Sequence, residues 1–132
     1  MSKNITKKKQ KAYLWGQGAE WLSMVMLWLK GYRILAHQFK CKSGEIDLIA
    51  QKGNMICFVE VKARQTIKDA LSAVSYQQKN RIIKAAEWYI TKNAQTAAGG
   101  DVNISYRFDM VAVEPWAWPT HVKDAWQMDV IK

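Results

Sequence analysis

A chain of 132 residues is long enough for one hydrophobic core and short for two, so a single domain is expected. With 49% apolar and 23% charged residues, the composition excludes a disordered chain. The excess of 20 basic over 11 acidic side chains, net +9, favours a polyanionic partner, nucleic acid before an anionic membrane surface. Two cysteines, Cys41 and Cys57, are too few for a disulfide framework and lack metal-ligand spacing, so both read as reduced residues on strands.

The first 30 residues imitate a signal peptide. Lys3, Lys7, Lys8, Lys9 and Lys11 precede an apolar stretch that ends near Leu29. Glu20 interrupts that stretch, and the uncharged run 21–29 falls short of the roughly 20 residues a bilayer requires. Lys30-Gly31-Tyr32-Arg33 follows where a small-x-small cleavage site would stand. The expectation is a cytoplasmic protein with no membrane segment, a flexible basic arm over 1–11 and one domain over 12–132.

Residues 12–30 read as a helix that stops at Gly31, a common C-terminal breaker. Leu14, Trp15, Trp21, Leu22, Met24, Val25, Leu27, Trp28 and Leu29 spread over most of its circumference, which predicts burial on most sides. Residues 32–40 read as a strand and Ser43-Gly44 as a turn. The runs 45–51 and 55–62, separated by Lys52-Gly53-Asn54, read as a hairpin. An amphipathic helix is expected over 76–93, with Ile82, Ile83, Ala86, Tyr89 and Ile90 as its apolar arc. A loop over 94–101 and a strand over 102–113 follow. The tail, with Pro115, Pro119 and three tryptophans, carries no assignable element. Helix, three strands, helix and strand in this order predict an α/β layer structure with helices packed on a mixed sheet.

The hairpin carries the chemistry. Residues two apart on a strand share a face, so Glu45 pairs with Asp47, and Glu60 with Lys62. Their neighbours Ile46, Leu48, Ile49, Ala50, Ile56, Cys57, Phe58, Val59 and Val61 are apolar, so the charges need partners or a metal. Clustered carboxylates repel until a cation joins them, and their oxygens suit Mg²⁺ or Mn²⁺. For any single acid a solvated outer face with Glu–Lys pairs accounts for the charge; for the set it does not. Glu20 either joins this cluster or shares an exposed stripe with Gln17. Lys79 falls within the apolar arc of the second helix, aimed at the carboxylates, at a phosphate, or out along its stem to solvent. Arg81, Lys84 and Trp88 share the opposite face, where the indole would stack on a base or pack against protein. His37 and His121 stand isolated and read as surface or packed histidines.

Gly44-Glu45-Ile46-Asp47-Leu48-Ile49-Ala50, followed by Phe58-Val59-Glu60-Val61-Lys62-Ala63-Arg64, resembles the YraN-like family of bacterial proteins, itself similar to the PD-(D/E)xK nuclease superfamily that includes archaeal Holliday-junction resolvases. Gly18-Ala19-Glu20, Gly31-Tyr32-Arg33-Ile34-Leu35, Ala73-Val74-Ser75 and Arg107-Phe108-Asp109 extend the likeness over about residues 14–126. The resemblance implies a restriction-endonuclease-like αβββαβ core. It implies that Asp47 and Glu60 bind a divalent ion, that Glu20 completes or orients its shell, and that Lys62 positions the attacking water or steadies the phosphate charge. Glu45 would support the site from the same face. Gln78-Lys79 departs from the pattern, since relatives commonly carry Lys before Gln at the start of that helix.

Two functions follow. The first is a metal-dependent nuclease, with DNA the favoured substrate and Lys7, Lys8, Lys9, Arg64, Arg81 and Lys84 holding backbone phosphates. The second is a non-catalytic nucleic-acid-binding or protein-interaction module on the same fold. A homodimer with its groove between subunits is a further arrangement that the apolar first helix and the tail tryptophans would serve.

Overall fold

The computed structural model describes the backbone of residues 2–94 and 103–127 and the side chains of residues 15–93 and 103–127. Eight elements follow one another: α1 (Ser2–Leu29), β1 (Arg33–Cys41), β2 (Gly44–Lys52), β3 (Met55–Ala63), α2 (Ile67–Ser72), α3 (Tyr76–Ala94), β4 (Ser105–Val113) and β5 (Thr120–Trp126). The expected helix, three strands, helix and strand are present in order, with α2 and β5 added. Ala94, expected to open the 94–101 loop, closes α3; residues 95–101 and the side chains of Lys7, Lys8, Lys9 and Leu14 lie outside the described residues. α1 begins at Ser2, about ten residues ahead of the expected start, so the backbone of the basic arm is helical.

The sheet runs β1-β2-β3-β4-β5. β1–β2, β2–β3 and β4–β5 are antiparallel, and β3–β4 is parallel. A two-residue Gly53-Asn54 turn joins β2 to β3, with Lys52 opposite Met55 and Gly53 at φ 58°, a conformation glycine adopts without steric cost. Helices cover both faces. α1 packs on one through Ala19, Met26 and Leu27, which meet Leu48, Ala50, Val59, Val61 and Val111. α3 packs on the other through Ile82, Ile83, Ala85 and Ala86, which meet Ile49, Phe58, Phe108 and Met110.

Glycine ends α1 as the sequence predicts. Gly31 takes φ 93°; its amide donates to Trp28 O and the Tyr32 amide to Leu27 O, the paired bonds of a Schellman motif. Leu27 and Tyr32 share one buried cluster, the apolar contact that accompanies this motif. The expected burial of α1 on most sides is not observed. Its buried stripe is Ala19, Ser23, Met26 and Leu27, while Trp21 and Trp28 remain 65% and 68% exposed. One sheet face accommodates one stripe, and nothing among the described residues covers the other side. No helix of the described residues is long and apolar enough to cross a membrane.

Gly44 brings β2 against α3. A Cβ there would lie 2.8 Å from Arg81 O and 3.1 Å from Arg81 Cβ. Gly44→Ala is therefore expected to push β2 off α3 and to cost about 1–3 kcal/mol of stability, as overpacking does. Urea unfolding of the two proteins measures it; an unchanged midpoint would show that β2 does not need this approach.

Candidate active site

Asp47 and Glu60 meet where two strands part. The β2–β3 register would pair them, but the ladder ends at Leu48 opposite Val59. In place of the next backbone bond, the Val61 amide donates to Asp47 Oδ2 at 2.8 Å. Glu60 projects toward α3 and is 5% exposed. Gln78 Nε2 donates to Glu60 Oε1 at 3.1 Å, and Lys62 Nζ lies 3.7 Å from that same oxygen. Gln78 reaches it because Ser75 caps α3: Ser75 Oγ accepts from the Gln78 amide at 3.0 Å, fixing Gln78 in the first turn.

The two carboxyls are hydrogen-bonded to each other and both titrate high. Burial, the neighbouring Asp47 charge and their hydrogen bond push Glu60 up to about 9, against the opposing pull of Lys62. Asp47 is also raised, by burial first and by the charge of Glu20, against the Val61 amide, the bond to Glu60 and Lys62. Burial and mutual repulsion thus push the pair toward sharing a proton, and a bound cation would relieve the same repulsion.

Glu20 approaches from α1 and is held by β1. Its Oε2 accepts from Gln38 Nε2 at 3.0 Å and meets His37 Nε2 at 2.9 Å. Adjacent strand residues ordinarily point to opposite faces; φ 53° at Gln38 and a register shift between Ile34 and Ala36 let both reach one carboxylate. His37 and Gln38 were not singled out by the sequence, which shows an isolated histidine and no sign of a left-handed residue mid-strand.

Two open clefts border the acid pair. One, of about 550 Å³, lies on the α3 side between Glu45, Ser75 and Arg81. The other, of about 460 Å³, lies between α1 and the end of β3, with Trp15, Glu20, Gln38, Lys62 and Arg64 on its walls. Asp47, Glu60, Glu45 and Gln78 border both. The site thus gathers Glu20, Glu45, Asp47, Glu60, Lys62 and Gln78, with exposed Arg64 and Arg81 at the two mouths.

Lys79 is the exception. Its Nζ sits over the Trp126 ring at 5.9 Å rather than beside the carboxylates, because β5 places an indole beneath it. Lys84 lies exposed farther along α3. Trp88, exposed like Arg81 and Lys84, takes the protein-packing alternative: its ring lies 5.7 Å from Phe39 of β1, with Lys92 Nζ 5.2 Å from it. Both cysteines are free; burial pushes the Cys57 thiol up to about 12, so it stays protonated.

A fit test for a divalent ion rests on the donor set. Among the described residues no group of three or more His, Cys, Asp or Glu converges as a ligand set. Two neighbouring carboxylates with raised protonation and open space on both sides nonetheless fit Mg²⁺, which takes one or two carboxylates and keeps waters and phosphate oxygens in its other positions. Glu20, tied to His37 and Gln38, stands outside that direct pair.

Residues 19–113 match the model of the family described as Uncharacterised protein family UPF0102. The chain belongs to UPF0102. A UPF0102 protein of Mesorhizobium japonicum is 44% identical over 125 residues, covering 95% of this chain and 96% of the relative. One from Chelativorans is 47% identical over 116 residues, covering 88% and 90%, and one from Bartonella tribocorum 43% over 123, covering 92% and 91%. The UPF0102 match contains Glu20, Asp47, Glu60, Lys62 and Gln78, and leaves β5 and the turn before it outside.

Proposed function

We propose that this protein hydrolyses phosphodiester bonds in nucleic acid, DNA before RNA, with Mg²⁺ or Mn²⁺ held between Asp47 and Glu60. The observation that carries the reading is the Asp47–Glu60 pair, buried at Glu60 and half-buried at Asp47, at a strand fork opening on two clefts. Two clustered carboxyls destabilise a fold, and the one ammonium of Lys62 beside Glu60 does not offset both, which suits a cation-binding role. The likeness of the Asp47, Glu60-Val61-Lys62 pattern to PD-(D/E)xK nucleases supports the same reading.

When bound, the ion would supply Lewis-acid activation of water and neutralise charge at the phosphate. The Val61 amide fixes the Asp47 carboxylate, and Gln78 fixes that of Glu60, so the two residues that would hold the ion are already oriented. Lys62, with its ammonium beside Glu60, holds the attacking water or a phosphate oxygen. Glu20, oriented by His37 and Gln38, would accept hydrogen bonds from water around a bound ion. Arg64 and Arg81 at the two mouths hold backbone phosphates without reading sequence.

Calorimetric titration of Mn²⁺ and Mg²⁺ into the wild type and Asp47→Ala, followed by cleavage assays on branched and single-stranded DNA, tests this. Saturable binding and metal-dependent cutting are expected for the wild type, with cutting reduced roughly 100-fold or more in the variant. No binding by the wild type, even with DNA present, would sink the catalytic reading and leave a non-catalytic binding module.

A further inference from the structure

The α1-side cleft does not end at the acid pair. Trp15 and Ala19 of α1 form its far wall and also one side of a second, more apolar groove, closed opposite by Trp116 and Trp118. The two hollows share Trp15 and Ala19, and the strand ends that line them lie side by side: Ala63 of the first pairs with Val113 of the second, and the Arg64 amide donates to Val113 O. A ligand lying over Lys62 and Arg64 would therefore lie next to the tryptophan-lined hollow.

Trp116 is placed at a cost. It follows Pro115 in a turn and takes φ 59°, a position that favours glycine or asparagine. Its side chain is fully exposed, at 104% of the reference area. Core packing accounts for neither the conformation nor the residue type. An indole face presented beside the Lys62 and Arg64 side of the cleft, on a chain of net charge +9, matches the recognition of a nucleobase, which offers a π surface of similar size. Bases inside a duplex are already stacked on both faces, so only an unpaired or extruded base can take this position.

We propose that Trp116, at the rim of the groove with Trp15 and Trp118, stacks on an unpaired base next to the phosphate held at Asp47–Glu60. The proposal rests on the hydrolase reading and narrows its substrates to single strands, flaps, gaps and branch points.

Fluorescence anisotropy of a labelled single-stranded 20-mer and its duplex, in EDTA, tests the groove independently of cutting. Wild type is expected to bind the single strand more tightly than the duplex. Trp116→Asn keeps the backbone conformation accessible and should weaken single-strand binding by roughly 5- to 100-fold with duplex binding unchanged; Trp116→Tyr should retain most of it. Equal affinity of the wild type for both forms, or an unaltered single-strand affinity in Trp116→Asn, would overturn the proposal. So would a variant that binds DNA as before but changes mass by light scattering, which would make the groove a protein interface. Single-strand preference that depends on Trp116, without metal-dependent cutting, would remove the hydrolase reading and uphold the groove. Cutting without that preference would remove the groove alone.

Discussion

Glu60→Gln is expected to make the protein more stable at pH 8 and inactive. Glutamine keeps the shape of the side chain and an oxygen for Gln78, while it removes the carboxyl whose ionisation favours the unfolded chain above pH 4.5. The pH dependence has a definite sign. The Glu60 carboxyl rises from an ordinary value near 4.5 to about 9 in the folded chain. Its contribution to stability is therefore fully present below about 4.5 and is lost as pH rises toward 9, because the unfolded chain releases the proton first. At about 1.4 kcal/mol per unit, the substitution is expected to recover at least about 2 kcal/mol at pH 8. Thermal melts in EDTA at pH 5 and pH 8 provide the check. Wild type should lose stability between the two, and the variant should lose less. Adding Mg²⁺ or Mn²⁺ should raise the wild-type melting temperature at pH 8 and leave the variant nearly unmoved. A wild-type melting temperature that is flat over this range in EDTA would show that the pair is not strained. Opposite signs for stability and activity distinguish a cation site from a structural ion pair, whose loss lowers both.

Asp109→Asn is expected to cost about 3–5 kcal/mol, the usual penalty for breaking a buried ion pair from one side. Asp109 is completely buried on β4. Arg107 grips it with two bonds, Nε to Oδ1 and Nη2 to Oδ2, both 2.7 Å. His121 Nε2 lies 2.8 Å from Oδ2, and the Asp124 amide donates to Oδ1 at 3.0 Å. With His121 Nε2 donating, its Nδ1 is left to accept from Lys30 Nζ at 2.6 Å. Arg107 continues to Tyr32 Oη and Cys57 Sγ. One carboxylate thus joins the end of α1 to β3, β4 and β5. Burial alone would raise Asp109, but the bonds from His121, Arg107 and the Asp124 amide hold it well below the usual carboxylate range. A depressed value contributes stability that is present above the unfolded-state pKa, near 3.8, and lost as pH falls through the folded one. Urea unfolding at pH 7 should show the loss in Asp109→Asn, and acid titration should show wild type resisting to lower pH. A loss under 1 kcal/mol would mean that the network relaxes around asparagine.

The sequence carried those parts of the fold that depend on local chemistry. Gly31 ends α1, Gly53-Asn54 turns the hairpin, and Ile82, Ile83 and Ala86 give α3 its buried face. Parts that depend on distant partners were hidden. β5 has little periodicity to read: its burial does not alternate, its pairing with β4 shifts between Phe108 and Met110, and Asp124 takes φ 55°. Missing β5 misplaced Lys79, whose neighbour Trp126 belongs to that strand. α2 is six residues set by the Thr66 cap, whose Oγ1 accepts from the Asp69 amide, too short to leave an apolar repeat. At the candidate site, Asp47, Glu60 and Lys62 were legible because charge stood out against apolar strands. Gln78 became informative only with Ser75 capping it toward Glu60. His37 and Gln38 required the left-handed residue of β1, for which the sequence gives no glycine.

The parallel β3–β4 pair sets the order in which the chain can assemble. β1, β2 and β3 close through turns of a few residues, and the Asp47–Val61 bond spans 14 positions. The Arg107–Cys57 contact across β3–β4 spans 50. Loop closure over the longer span is entropically dearer, and folding slows as such contacts come to dominate. The acid pair therefore belongs to the fast, local half of the molecule, and the Asp109 network to the slow half. A nascent chain can form its repulsive carboxylates before the second half of the sheet exists to hold them, so a cation bound early, on the proposed reading, would help folding as well as chemistry.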